Sequence, residues 1–119
     1  MSPAPPPRKL TPPRDLQTHT EAQWQKVVMD LAATFGWVVV HVRDSRKQDV
    51  EGMPDLLMWR GSDYLLVELK TERGVVSAAQ REWHMLAALK GVEVQVWRPR
   101  HYPDAVRLIC RGYDVEIDW

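Results

Sequence analysis

Apolar residues recur at helical spacing through Trp24, Val28, Leu31 and Phe35, and the stripe stops at Gly36, which predicts a helix over residues 20–35 closed by a glycine cap. A β-branched run over 37–42 then reads as a strand, and the charged stretch 43–51 as a loop. Two further apolar runs flank Gly61-Ser62 and predict a hairpin. Ser77 is placed to cap a second helix that ends at Gly91, with Ala79, Trp83 and Leu86 on one apolar face. Residues 92–97 alternate as a half-buried strand, Pro103-Asp104 starts a short helix to residue 111, and 113–119 alternates weakly, as a last strand or an interface segment. The order is α-β-β-β-α-β with a C-terminal addition, so an α/β fold is expected, a mixed sheet flanked by helices. Six of the nine prolines fall in the first thirteen residues, and residues 1–15 are expected to form a disordered tail before one domain over 16–119.

Composition narrows this picture. With 119 residues, 45% of them hydrophobic, the chain can bury one core of ordinary size. It lacks both a run of about 18 apolar residues and the apolar segment of a secretory signal, so a cytoplasmic protein with no membrane partner is expected. The single Cys110 has no internal disulfide partner and reads as a small core side chain. Sixteen basic and sixteen acidic residues balance, which argues against a nonspecific polyanion binder. The basic residues are nevertheless grouped: Arg43, Arg46 and Lys47; Arg73; and Arg98, Arg100 and His101. Each group reads as a solvated loop, with phosphate contact the alternative for the first and third if they flank the site, and Arg43 with Arg46 is preferred for it because their loop leads into Gly52 and Asp55. His41, at the end of the first strand, is a further candidate for phosphate, whereas His84 reads as helix surface. Six tryptophans are many for one small core; core packing, a dimer interface and stacking on bases all remain open for Trp59, Trp83, Trp97 and Trp119.

The hairpin carries the chemistry. If Gly61 supplies the positive φ of a two-residue II′ turn, residues whose numbers sum to 123 face each other, and Asp55 lies opposite Glu68. Directly opposed side chains share a face with Cβ atoms about 4.5–5.5 Å apart, where two carboxylates repel unless a cation lies between them. Lys70, two residues after Glu68, returns to the same face. A solvated hairpin decorated with charges is the plain reading of that spacing alone. The flanking side chains oppose it: Leu57, Trp59, Tyr64 and Leu66 share the acids' face, while Leu56, Met58, Leu65, Val67 and Leu69 fill the other, so both faces are expected to be covered. Hard carboxylate oxygens suit Mg²⁺ or Mn²⁺, and such an ion can promote hydrolysis of a phosphodiester.

With these residues in view, the chain resembles the PD-(D/E)xK nuclease superfamily, and within it the virus-type replication-repair nuclease (VRR-NUC) domain. The resemblance rests on Gly52-Met53-Pro54-Asp55-Leu56-Leu57, Val67-Glu68-Leu69-Lys70, and Ser77 with Gln80, and spans residues 20–98. It implies a restriction-endonuclease-like core and a Mg²⁺- or Mn²⁺-dependent DNA endonuclease. Asp55, Glu68 and the backbone carbonyl of Leu69 would hold the metal, Lys70 would act at the water, and Gln80 would support the site. Glu21 matches the acidic residue that the family carries on its first helix. Thr18-x-x-Glu21 and Ser77-x-x-Gln80 also fit the helix capping box, so each of these two residues has a structural alternative. The resemblance further implies a homodimer that cuts branched DNA such as a four-way (Holliday) junction, in a DNA-repair setting. The rival reading is a noncatalytic nucleic-acid-binding or assembly subunit that keeps the nuclease fold.

Overall fold

The computed structural model describes residues 5–42 and 51–119. Its elements in chain order are β1 (Lys9–Leu10), α1 (Glu21–Thr34), β2 (Val38–His41), β3 (Leu56–Arg60), β4 (Asp63–Leu69), α2 (Ala78–Leu89), β5 (Val94–Trp97), α3 (Tyr102–Ile109) and β6 (Glu116–Ile117). Strands β2-β3-β4-β5 form one mixed sheet, antiparallel except for the β4–β5 pair. This is the α/β arrangement expected, with helices against both faces.

The hairpin register follows from its turn. Arg60 pairs with Asp63 and Leu56 with Val67, the register that a two-residue loop dictates. Gly61 has φ +60° while Ser62 does not take a positive φ, which fits a turn with its special residue first. A slip of one position would have turned Glu68 to the opposite face.

The core lies on one side of this sheet. Leu56, Met58, Val67, Leu69 and Trp97 point toward α1 and α3, which contribute Trp24, Val28, Leu31, Tyr102, Ala105, Val106 and Ile109. The expected stripe of α1 is thus buried throughout. Two buried indoles find backbone partners: Trp24 Nε1 donates to the Trp97 carbonyl at 2.9 Å and Trp37 Nε1 to that of Ile109 at 2.8 Å. Arg60 donates to the carbonyls of Phe35 and Ile109, at 3.1 Å each, and lies over the Trp37 ring. That cation is structural. Cys110 is buried, and burial pushes its thiol up to about 11, so it has little thiolate character.

Several expectations change. The acids' face of the sheet is not covered along its length: Val38, Val40, Trp59 and Tyr64 are exposed, while α2 packs against β5, at the sheet edge away from β2. Nor does α2 bury its apolar face, since Leu86 is 53% exposed and no residue of the helix is fully buried. Trp97 belongs to the core, whereas Trp59 and Trp119 do not. The tail expected over residues 1–15 contains an ordered strand, as β1 pairs in parallel with β6 through Glu116 N–H to the Arg8 carbonyl and Asp118 N–H to that of Leu10. Leu10 also packs against the core, which anchors the segment.

Candidate active site

Glu21 opens α1, Asp55 immediately precedes β3 and Glu68 lies in β4, and each places one carboxylate oxygen within 4.8 Å of the others. They open into a cavity of about 940 Å³ that Lys70, Gln80, Gln25 and His41 also line. Glu68 is wholly buried, yet Asp55 stands beside it and, among the described residues, Lys70 alone offsets the charge, with Nζ 3.6 Å from Oε1. Burial first, and the Asp55 charge second, push the Glu68 carboxyl up to about 8. Burial and Asp55 likewise raise Glu21. Oε2 of Glu68 is buried with no hydrogen-bond partner among the described residues. Carboxylates from three parts of the chain and an orphaned oxygen, all hard donors in one cavity, fit a divalent cation.

Each acid is held by local structure. Asp55 precedes β3, and its Oδ2 accepts from the Leu69 N–H at 2.7 Å, which ties the two hairpin arms together at the site. Gln80 combines two tasks: its Oε1 accepts from the Ser77 N–H at 2.9 Å, completing the cap of α2, while its Nε2 donates to Glu68 Oε1 at 2.7 Å. The two readings of Gln80 therefore do not compete. For Glu21 they are resolved differently. The capping box of α1 is formed by Thr20 and Gln23, so Glu21 is the first helical residue and takes no part in the cap. Thr18 instead donates from its hydroxyl to the Asp15 carbonyl.

Gly52 explains the glycine of the Gly52-x-Pro54-Asp55 run. Its φ is +90°, and a Cβ there would lie 2.3 Å from the Ala79 carbonyl oxygen and 2.9 Å from the Gln80 nitrogen. Only glycine lets the segment before Asp55 touch the first turn of α2, which carries Gln80 to Glu68. Gly52→Ala should cost a few kcal/mol of stability and also lower activity, because α2 must move to admit the methyl group. Thermal denaturation with parallel cleavage assays checks both effects; wild-type behaviour in both would contradict this packing.

The sequence reads His84 as helix surface, and the structure corrects this. His84 sits one turn beyond Gln80, half-buried, with Nε2 enclosed and unpartnered among the described residues. Burial chiefly, and the Lys70 charge next, lower its pKa and favour the neutral ring. Its four-residue spacing from Gln80 is a hint of this in the sequence. His41 lines the cavity but is exposed, its Nδ1 3.5 Å from Gln25 Nε2. Arg43, Arg46 and Lys47 lie outside the described residues. Arg98 and Arg100, candidates for phosphate, are engaged within the chain: Arg98 donates to the carbonyls of Thr71 and Gly74 at 2.7 and 2.6 Å, and Arg100 pairs with Glu72 at 3.2 Å. They hold the strap that follows Lys70.

The raised Glu68 pKa has a signed consequence for stability. The folded chain retains a proton that the unfolded chain releases near 4.5, so the contribution of Glu68 to stability is fully present below that pH and is lost as pH rises toward about 8. With divalent metal withheld, the melting temperature should fall between pH 5 and pH 8.5, and Glu68→Gln should flatten that fall. An unchanged slope in the variant would contradict the assignment.

The model of the VRR-NUC domain matches residues 15–100. No curated protein and no solved structure matches the chain at a significant level.

Proposed function

Because the chain belongs to the VRR-NUC domain family, whose members are nucleases, we propose that it is a Mg²⁺- or Mn²⁺-dependent endonuclease that hydrolyses DNA phosphodiester bonds, with branched DNA such as a four-way junction as its substrate. The observation that carries this reading is the convergence of Glu21, Asp55 and the wholly buried Glu68, with an orphaned oxygen, beside Lys70. Asp55, Glu68, Glu21 and the Leu69 carbonyl would hold the metal, which when bound polarises the phosphoryl group, lowers the pKa of a water and stabilises the leaving oxygen.

The chain's own groups supply the rest. Gln80 fixes the Glu68 oxygen, and the Leu69 N–H fixes Asp55, so the acids meet the cation without reorganising. Lys70, 15% exposed at its side chain, orients the attacking water and neutralises charge that develops on the phosphoryl oxygens. His41, with Arg43, Arg46 and Lys47, would contact flanking phosphates. We further propose a homodimer, in which a second copy covers the exposed Val38, Val40, Trp59 and Tyr64; a twofold pair of sites suits a symmetric junction.

The test is a panel of labelled duplex, flapped, single-stranded and four-way-junction DNA, with RNA alongside, incubated with Mg²⁺ or Mn²⁺. Metal-dependent cutting of branched DNA is expected. Binding without cutting of any member would instead support a noncatalytic subunit.

A further inference from the structure

A second cavity, of about 470 Å³, opens among Pro12, Pro13, Arg14, Pro99, Arg100 and Trp119. That volume is within the range of pockets for small organic ligands. Trp119 is 76% exposed, yet its position is set by an edge contact with Tyr102, the ring centroids 6.2 Å apart and the planes at 71°. Its exposed indole thus lines the cavity together with three rigid proline rings. Two arginines, Arg14 and Arg100, and one acidic residue, Asp15, are among the lining residues. Arg100 is held by Glu72 at 3.2 Å while its side chain stays 55% exposed.

Two short chain segments connect the surroundings of this cavity with those of the carboxylate cavity. Gln17 lines the one and Glu21 the other, and four residues span at most about 14 Å. On the other side Lys70 lines the carboxylate cavity, and Glu72, two residues on, binds Arg100 at the rim of the second. The strap between them is fixed by Arg98. A polymer with a phosphate at the carboxylates can therefore reach the tryptophan within a few units. A flat apolar wall with cationic flanks matches an unstacked base joined to its phosphate.

We propose that this cavity is a stacking site for an unpaired base of the nucleic-acid substrate, a few nucleotides from the phosphate that is cut, so that DNA with a single-stranded extension binds in preference to blunt duplex. The inference rests on the nuclease reading for the position of the scissile phosphate. It is tested by fluorescence anisotropy of a flapped duplex and a blunt duplex with the native chain, Trp119→Ala and Trp119→Phe, in Ca²⁺ in place of Mg²⁺. Trp119→Ala should weaken flapped-duplex binding about tenfold and leave the blunt duplex unchanged, and Trp119→Phe should stay within about twofold of native. A 2-aminopurine placed in turn along the flap should be quenched at one position by the native chain and not by Trp119→Ala. Unaltered flap binding in Trp119→Ala, an equal loss on blunt duplex, or no quenched position would overturn the stacking site. Failure of the nuclease reading shows separately, as flap binding and quenching by a native chain that cuts none of these substrates in Mg²⁺ or Mn²⁺.

Discussion

Asp55→Asn, Glu68→Gln and Lys70→Ala should each lower cleavage by at least about a hundredfold, roughly 3 kcal/mol of transition-state stabilisation, with the fold intact. The asparagine and glutamine variants keep the size and most hydrogen bonds of the native side chains. The amide oxygen introduced at position 68 can still accept from Gln80, and the one introduced at position 55 can still accept from the Leu69 N–H. What they remove is anionic charge at the cavity. Glu68→Gln also removes the burden of a buried, crowded carboxylate, so this variant should be at least as stable as the native chain above pH 8 in the absence of metal. Loss of activity with retained or improved stability separates a functional residue from a structural one. Lys70→Ala acts in the opposite sense on its neighbour: without the ammonium 3.6 Å away, Glu68 holds its proton more tightly. Full cleavage by any of the three would contradict the role assigned to it, and circular dichroism establishes that the fold persists.

Chelation should have a still larger effect. EDTA should abolish cutting and excess Mg²⁺ or Mn²⁺ should restore it, because the carboxylates alone can neither polarise the phosphoryl group nor tolerate an incoming anion. The recovery should depend on pH. Metal must displace the proton that Glu68 carries below about 8, so half-maximal activation should need less Mg²⁺ as pH rises from 6 to 8 and level off above it. Cutting that persists in EDTA would remove the metal-dependent mechanism.

Much of the fold was legible because two periods recur in the chain. The 3.6-residue stripe of α1 and the symmetric runs about Gly61 specify a helix face and a register, and the register alone aligns Asp55 with Glu68. Other features leave no such trace. Strands β1 and β6 are two residues each, too short for any alternation, and their pairing depends on the chain closing around α3. The face of α2 reads as apolar, but Leu86 and Leu89 stay exposed while the helix packs against β5 at the edge of the sheet. Spacing allows Glu21 a place in a cap because Thr18 and Thr20 are both plausible caps, whereas in the structure Thr18 ends a short 3-10 turn and Thr20 caps the helix. The position of His84 behind Lys70 likewise needs the packing of α2, although its four-residue distance from Gln80 is a readable hint that both side chains lie on one side of the helix. Gly52 carries the strongest signal of all, a glycine three residues before a candidate ligand, with a physical reason that only the approach of Ala79 makes visible.

The central claim is that Glu21, Asp55 and Glu68 form one divalent-metal site. Calorimetric titration of Mn²⁺ into the native chain and into Glu68→Gln at pH 7, in two buffers of different ionisation enthalpy, reads both occupancy and protons. The native chain should bind with release of about one proton, and the variant should bind far more weakly without that release. Equal binding by the two proteins, or none by the native chain, would contradict the claim.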